Sequence, residues 1–306
     1  AIMRHLINRL RIEEDIRLHP EILLEDVSDP IVIIGLSRTG TTKLQRMLSA
    51  APNVQKLYLW RMLNPARFPD AVPGKPDPRI AAARMGESVG SETMEENREL
   101  KAGHEMVAAE VDEEIFLFDF TLDQSITGVC PYAPYFCFDE WAEGSPVREA
   151  DLRGYRYERK ILQYLQWQDG GKRGRPWILK NVPHLAHMDT LLECYPNATI
   201  AHTHRDPRAA VASLSKVMCT LYSLGAEIDG KLVGKAMFGW LSTMMERSLE
   251  ARDRLRLDDR IYDVRYEDVR TDALSIVREV YRRSGRELTP EAEQAMVRWE
   301  QENEQG

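Results

Sequence analysis

Apolar residues along this chain follow two different spacings, one typical of helices and one typical of buried strands. Over residues 1–24 they recur every three to four positions among arginines and glutamates, which predicts an amphipathic helix. Residues 31–34 are instead an unbroken run of β-branched side chains between a proline and a glycine, the pattern of a buried parallel strand. A further helix is predicted from Thr41 or Thr42 to about Ala50. The chain therefore begins with a predicted helix, strand and helix in succession.

The same alternation returns in the second half of the chain, where short apolar strands are each followed by a helix. Strands are predicted at 177–180, 198–202 and 261–266, and the helices after them at 185–194, 207–217 and 271–284. A proline begins the middle one of these helices, where its missing N–H is not needed. This alternation predicts an α/β fold with a central, mostly parallel sheet flanked by helices on both faces.

Between these α/β segments lies a stretch with a different pattern, residues 64–168. Five prolines within 64–78 predict an irregular segment, whereas 79–118 and 151–168 are predicted to be largely helical. The aromatic residues at 132–141 have two interpretations, the wall of a binding pocket or a loop that packs on its own side chains. Acidic residues in this stretch are predicted to form a solvated helix face: Glu110, Asp112, Glu113 and Glu114.

Composition and charge narrow the class of protein. The 306 residues are 43% hydrophobic, and no apolar run approaches the roughly 18 residues that span a bilayer, so we predict no transmembrane segment. A net charge of −8 disfavours nonspecific nucleic-acid binding, which needs dense positive charge, and an oligomer is compatible with these figures. Neither a signal peptide nor a metal-ligand spacing of cysteines is recognisable, which favours a cytoplasmic protein with reduced thiols at Cys130, Cys137, Cys194 and Cys219.

The loop at 35–42, Gly-Leu-Ser-Arg-Thr-Gly-Thr-Thr, follows the first predicted strand and opens a helix. Backbone N–H groups and a helix N-terminus converge on an anion in such a loop, and threonine hydroxyls add donors. Its glycines keep the spacing of GxxxxGK[ST], but threonine replaces the lysine that reaches nucleotide β- and γ-phosphates, which disfavours ATP or GTP hydrolysis. The predicted anion ligands are Arg38, Thr39, Gly40, Thr41 and Thr42. The alternative is a plain glycine turn before a capped helix.

A second group of anion ligands is predicted where the strand at 198–202 passes into the next helix. Arg205 lies at the carboxyl edge of the predicted sheet, where open α/β sheets bind ligands. Ser213 follows about two helical turns later, so an arginine fork and a hydroxyl could share one phosphate. The alternative is a structural ion pair between Arg205 and Asp206.

Together these segments resemble PAPS-dependent sulfotransferases, in a broad bacterial branch that includes mycobacterial enzymes. In that resemblance the loop from Arg38 to Thr42 holds the 5′-phosphosulfate, and Arg205 with Ser213 holds the 3′-phosphate. The segment 177–185, Trp-Ile-Leu-Lys-Asn-Val-Pro-His-Leu, also matches, as does Tyr266-Glu-Asp, which places Tyr266 near the adenine. The likeness covers about residues 30–285.

The resemblance implies an enzyme that moves the sulfuryl group of PAPS to a hydroxyl or amine of a small, partly apolar or lipid-like acceptor by in-line displacement. It also implies a three-layer P-loop-type fold, with 1–306 as one domain and 64–168 as an insertion over the acceptor side. This chain departs from the family in three places. Lys43 replaces an aromatic residue that many members have after the loop, and 59–62 lack a glutamate proposed as the base in some relatives. The glycine-rich C-terminal cofactor segment of the cytosolic members is not evident either.

Transfer of a sulfuryl group requires positive charge near the transferred oxygens and a base for the acceptor proton. Lys180, at a predicted strand end near the loop, is the candidate cation. His184 and His104 are the candidate bases, because histidine titrates near neutral pH. His202 and His204 alternate onto one strand face like half of a metal site, but no third ligand is evident in the sequence, so no metal is predicted.

Two other functions stay open at this point. A kinase or another phosphoryl-transfer enzyme on the same sheet would use the same loop, although the missing loop lysine counts against it. A nucleotide-binding module without catalysis would need the loop and neither Lys180 nor a base.

Overall fold

The computed structural model describes residues 2–85, 107–121, 147–223 and 227–303. These residues form two compact units. The described parts of Ala1–Glu25, Leu57–Gly171 and Ser215–Lys235 make up unit 1, and those of Asp26–Lys56, Lys172–Leu214 and Ala236–Gly306 make up unit 2. The candidate base His104 and the aromatic segment 132–141 lie outside the described residues. The interpretation of 1–306 as one domain with an insertion at 64–168 stays a prediction.

Unit 2 is built on a sheet whose described strands all pair in parallel, which confirms the predicted α/β fold. The strand order is β2-β1-β3-β4. The strands are β1 (Ile31–Gly35), β2 (Ile178–Lys180), β3 (Thr199–His204) and β4 (Ile261–Arg265). The predicted run at 31–34 is β1, and every residue of that strand is buried. β1 lies between two other strands, and because successive side chains point to opposite faces, the full burial of 31–34 means that both faces of the sheet are covered there.

Helices account for most of the remaining described residues. They are α1 (Ile2–Leu18), α2 (Thr41–Ser49), α3 (Leu59–Leu63), α4 (Ile115–Phe118), α5 (Val147–Gln168), α6 (Met188–Cys194), α7 (Pro207–Ser223), α8 (Gly230–Leu255), α9 (Tyr266–Thr271), α10 (Ala273–Arg283) and α11 (Pro290–Glu302). Short 3₁₀ turns lie at Pro20–Leu24, Asp119–Thr121 and Val182–Ala186. None of the described helices combines the length and apolar character needed to cross a membrane.

One apolar core fixes α2, α10 and α11 against the sheet of unit 2. Leu44 and Leu48 on α2 are fully buried together with Val277 on α10 and Met296 on α11. Burying each such side chain contributes about 1.5–3 kcal/mol relative to leaving it exposed. Because α2 is anchored along its length, its first turn, directly after the 35–42 loop, is held at the carboxyl edge of the sheet.

Unit 1 contains α1, α5 and the proline-rich segment. As predicted, 64–77 has neither helix nor strand, and a buried side chain on α1 supports it. The Asn8 amide nitrogen donates to Asn64 Oδ1 at 3.2 Å, and Asn8 Oδ1 accepts from the Ala66 backbone N–H at 3.0 Å. A buried asparagine therefore supplies hydrogen bonds that an irregular backbone cannot make within itself.

The predicted helix over 79–118 is wrong for part of its length. Among the described residues, 107–114 form turns and a bridge instead, with Tyr58 opposite Val111. The prediction of a solvated acidic face is also wrong for Asp112 and Glu114, which are 3% and 0% exposed. The Asp112 N–H donates to the Leu57 carbonyl at 3.1 Å, so pairing with a distant segment replaces the hydrogen bonds of a helix.

Candidate active site

The loop at 35–42 starts where β1 approaches β3 too closely for any side chain. Gly35 lies opposite Thr203 in the parallel register and has a φ of 151°. A Cβ at Gly35 would lie 2.4 Å from Thr203 Oγ1 and 2.7 Å from the Thr203 carbonyl oxygen. Only glycine fits this position without displacing β3.

The Thr39 hydroxyl braces the loop from inside. It donates to the Leu36 carbonyl at 2.6 Å and lies 2.7 Å from Thr203 Oγ1, with both threonines 1% exposed. Thr203 Oγ1 therefore donates to Thr39 Oγ1, and the Ile34 carbonyl, at 3.3 Å, is its more distant second acceptor. In this structure the Thr39 hydroxyl is therefore engaged by the loop and β3. Its predicted role as a direct anion ligand stays a prediction.

The second half of the loop turns through two left-handed residues into α2. Arg38 has a φ of 70° and Gly40, the residue before α2, has a φ of 88°. A Cβ at Gly40 would lie 3.2 Å from Tyr266 Cδ2 and 3.2 Å from Val269 Cγ1, so α9 closes against this turn. No side chain caps the helix at Gly40, which leaves the N–H groups of the first turn to an anion.

Four of the predicted cofactor ligands meet beside this turn. Arg38 Nε donates to Ser213 Oγ at 3.3 Å, and Arg205 Nη1 donates to the Arg38 carbonyl at 2.8 Å. The Arg205 guanidinium lies over the Tyr266 ring, 4.2 Å from its centroid, in a cation–π contact. Residues from the loop, the end of β3, α7 and α9 thus form one basic cluster with an aromatic face.

The alternative prediction for Arg205 is an ion pair with Asp206, but no hydrogen bond joins these two described residues. Asp206 accepts instead from Arg208, at 3.1 Å to Nε and 2.9 Å to Nη2, and from the Arg208 backbone N–H at 2.9 Å. These bonds to Arg208 are the main reason that the pKa of Asp206 is lowered. Arg208 compensates this carboxylate, while Arg205 turns toward Arg38.

The candidate catalytic cation and base occupy the neighbouring strand end. Lys180 is the last residue of β2, lies opposite Ile33 on β1, and is 1% exposed. His184 lies in the 3₁₀ turn Val182–Ala186 and is 0% exposed. The parallel register places the end of β2 next to the strand from which the anion loop emerges. The catalytic roles of both residues stay predictions.

Two of the departures from the family pattern have structural explanations. Lys43 forms an ion pair with Glu300 at 2.8 Å, which ties α2 to α11. Arg61, in the region without a glutamate, is 8% exposed and donates two hydrogen bonds to Asp169, at 2.7 and 2.9 Å. A third bond joins Arg61 to the Leu165 carbonyl at 2.9 Å, so this arginine links α3 to the end of α5.

The structure also supplies a carboxylate partner for the two strand histidines, which the sequence did not reveal. Asp263 on β4 lies directly opposite His202 on β3. Its Oδ1 is 2.6 Å from His204 Nε2 and 3.9 Å from His202 Nδ1. The sequence does show a polar residue, Asp263, inside the predicted strand 261–266. Only the pairing of β3 with β4 identifies Asp263 as the partner of the two histidines.

The electrostatics of this cluster keep His202 neutral and Asp263 ionised. Burial is the main reason that the pKa of His202 falls to about 3, and the neighbouring His204 lowers it further. Hydrogen bonds from Arg252 are the main reason that the pKa of Asp263 falls to about 2. Arg252 reaches both carboxylate oxygens, at 2.8 and 2.7 Å.

A parallel sheet with a glycine loop at a helix N-terminus and a basic cluster beside it defines an α/β protein with a P-loop-like fold. Comparison with known proteins is more specific, because the model of the sulfotransferase family matches residues 30–290. The chain belongs to the sulfotransferase family. The family and the fold class predicted from the motifs are both confirmed.

Several proteins similar to this chain come from mycobacteria. The chain is 25% identical over 259 residues to proteins named omega-hydroxy-beta-dihydromenaquinone-9 sulfotransferase Stf3 from Mycobacterium bovis and Mycobacterium tuberculosis, a match that covers 84% of this chain. It spans 62% of the length of those relatives. The crystal structure of sulfotransferase STF9 from Mycobacterium avium has a TM-score of 0.80 and 26% identity, covering 99% of this chain and 75% of that one. The crystal structure of sulfotransferase STF1 from Mycobacterium tuberculosis H37Rv has a TM-score of 0.69 and 28% identity, covering 96% of this chain and 77% of that one.

Proposed function

We propose that this protein is a PAPS-dependent sulfotransferase that transfers a sulfuryl group to a hydroxyl of a lipid-like acceptor. The observation that carries the proposal is the cluster of Arg38, Arg205, Ser213 and Tyr266 beside the first turn of α2. The match to the sulfotransferase family supports it.

The donor groups of the cluster fit a nucleotide with phosphates at two positions. Two guanidinium groups and the Ser213 hydroxyl lie together, and the nearby Asp206 is already compensated by Arg208. In the proposed complex Arg205 and Ser213 bind the 3′-phosphate, and Tyr266 presents a ring face to the adenine. The Arg38–Thr42 backbone, which includes Thr39 and Gly40, and the hydroxyls of Thr41 and Thr42 bind the 5′-phosphosulfate at the α2 N-terminus.

PAPS, when bound, supplies an activated sulfuryl group on an anionic leaving group. The residues of this chain then have to stabilise charge and accept one proton. Lys180, held at the end of β2 beside β1, neutralises charge that develops on the transferred oxygens and the leaving phosphate. The proposed base for the acceptor hydroxyl proton is His184 or His104. A nearby base contributes typically about 10²–10⁴-fold in rate.

The acceptor class is drawn from the relatives. The proteins named omega-hydroxy-beta-dihydromenaquinone-9 sulfotransferase carry a hydroxylated, lipid-like substrate in their name, and a hydroxyl on a long apolar molecule is therefore the acceptor that we propose here. A cytoplasmic location belongs to the same proposal.

Phosphoryl transfer, the alternative reaction, is disfavoured because Thr41 stands at the position of the loop lysine.

Calorimetric titration with the product nucleotide, adenosine 3′,5′-bisphosphate, tests the donor. We expect it to bind at least about tenfold more tightly than ADP, which corresponds to about 1.4 kcal/mol for the 3′-phosphate. Equal or tighter binding of ADP would contradict the proposal and would point to a phosphoryl-transfer enzyme.

Arg205→Ala tests the 3′-phosphate site. It should weaken binding of adenosine 3′,5′-bisphosphate far more than binding of AMP, because only the first carries a 3′-phosphate. Arg282→Ala is the matched control, since it removes an arginine that is 69% exposed in its side chain and pairs with Glu279 within its own helix. If Arg205→Ala weakens both nucleotides equally, or if Arg282→Ala has the same effect, Arg205 is not the 3′-phosphate ligand.

A further inference from the structure

A cluster on the sheet of unit 2 combines two imidazoles and a carboxylate outside the proposed nucleotide site. His202 and His204 lie on the same face of β3, with ring centroids 3.9 Å apart. Asp263 joins them from β4 because it is the register partner of His202. One ligand atom from each of these three residues lies within 4.8 Å of the other two.

The two distances from the carboxylate oxygen to the imidazole nitrogens lie on either side of the ligand spacing in a metal site. Tetrahedral Zn²⁺ with bonds of about 2.0–2.2 Å places its ligand atoms about 3.3 Å apart. Asp263 Oδ1 is 2.6 Å from His204 Nε2 and 3.9 Å from His202 Nδ1, one value shorter and the other longer than this spacing. The His204 and Asp263 side chains are 39% and 42% exposed, which leaves room for the small rotations that would equalise these distances.

His202 provides a second and independent sign of a ligand. Its side chain is 4% exposed, and its Nδ1 has no hydrogen-bond partner among the described residues. A buried polar atom without a partner costs about 1–3 kcal/mol. This Nδ1 is directed toward Asp263 and His204, and a bound cation would satisfy it. Burial also keeps the imidazole neutral, which is the form that binds metals.

We propose that His202, His204 and Asp263 bind one divalent transition-metal ion of the zinc class, with its remaining positions open to water. Two imidazoles and one carboxylate suit zinc and its neighbours, whereas magnesium and calcium prefer sites made of oxygen ligands alone. The site is independent of the proposed sulfuryl transfer, which uses none of these three side chains.

Arg252 already donates hydrogen bonds to both oxygens of the Asp263 carboxylate, which a metal would have to share with it. It donates to Asp263 Oδ2 from Nη2 at 2.7 Å, to Asp263 Oδ1 from Nη1 at 2.8 Å, and to Asp258 from Nε at 2.6 Å. A metal on Oδ1 would replace the Nη1 bond and the 2.6 Å hydrogen bond between His204 Nε2 and the same oxygen. The Nη2 bond to Oδ2 would continue to orient Asp263, as outer-shell partners commonly orient carboxylate ligands, and the bond to Asp258 would hold Arg252 in place.

The test measures metal binding by the 306-residue chain, with Zn²⁺ in competition with a chromophoric chelator. Wild-type protein should bind one equivalent of Zn²⁺ saturably, and Co²⁺ in its place should give visible absorption bands of a low-symmetry site. His204→Gln removes a partly exposed ligand and should weaken Zn²⁺ binding by about tenfold or more. Asp263→Asn should do the same.

His19→Gln is the matched control. His19 is a partly exposed histidine paired with Glu21 at 3.1 Å, so its replacement removes one surface imidazole without touching the cluster. Circular dichroism of each variant establishes folding, and if Asp263→Asn unfolds, His204→Gln alone decides. Absence of a saturable equivalent in the wild type would overturn the proposal. So would unchanged binding in folded His204→Gln, or an equal loss in His19→Gln. None of these outcomes bears on nucleotide binding.

Discussion

The hydroxyl pair of Thr39 and Thr203 gives the sharpest test of how the anion loop is held. The two hydroxyls are 2.7 Å apart, and because Thr39 donates its only proton to the Leu36 carbonyl, Thr203 supplies the proton of their mutual bond. Valine has nearly the shape of threonine, so Thr39→Val and Thr203→Val remove the hydroxyls and leave the packing. Each single change leaves a buried partner unsatisfied and should lower the free energy of unfolding by about 1–3 kcal/mol.

The double variant distinguishes a direct bond from two separate effects. Once one hydroxyl is gone, removing the other no longer breaks their mutual bond. The double variant should therefore be more stable than the sum of the single effects predicts, with a coupling energy of about 0.5–3 kcal/mol. Urea unfolding of the wild type, both single variants and the double variant measures this coupling, provided that the dependence on urea concentration stays constant across the set.

Two controls complete the cycle. Thr39→Ser keeps the hydroxyl and should restore most of the stability that Thr39→Val loses. Thr271→Val removes an exposed hydroxyl that bonds to Glu267 within its own helix, and it should change stability by no more than about 0.5 kcal/mol. Additive effects of Thr39→Val and Thr203→Val, within about 0.3–0.5 kcal/mol, would refute the idea that this bond braces the loop.

Two further predictions concern the same sheet. Gly35→Ala would place a Cβ 2.4 Å from Thr203 Oγ1, so it should destabilise the protein by about 1–3 kcal/mol or more and weaken nucleotide binding. Gly74→Ala is the control, because Gly74 also has a positive φ but nothing lies within 4 Å of the added Cβ, and it should leave nucleotide binding unchanged. Equal losses of nucleotide binding in the two variants would contradict the steric argument. Acidification should destabilise the protein, because burial lowers the pKa of His202 from 6.5 to about 3, and between these values the unfolded chain binds a proton that the folded chain excludes. The slope for this histidine approaches about 1.4 kcal/mol per pH unit, and urea unfolding from pH 7 to pH 5 should show a shallower slope in His202→Gln; an unchanged slope would contradict this account.

Local patterns predicted the parts of the site that depend on local backbone geometry. A β-branched run between a proline and a glycine specifies a buried strand, and it became β1. The glycine spacing of the loop specified where the chain turns into α2, within a residue of its observed start. Proline at the start of the helix after β3 marked the first turn of α7. These signals lie within a few residues of the structure that they specify.

The burial of acidic residues in unit 1 was not predicted from the sequence, and the reason is physical. Acidic residues are usually exposed, and a sequence does not show which of them a distant segment will cover. Asp112 and Glu114 are buried because 107–114 pairs with the backbone at 57–59 rather than forming a helix. The hydrogen bonds that decide this outcome join residues about fifty positions apart along the chain.

The sequence by itself determined the strand β1, the glycine loop at 35–42 and the position of the basic residues that follow β3, because each depends on consecutive residues. It also showed that His202 and His204 share a face, because side chains alternate along a strand. Only the tertiary structure decided that Asp263 completes their cluster and that Thr203 braces the loop. Both depend on which strands become neighbours and in what register, and a two-residue period along one strand contains no information about its partner.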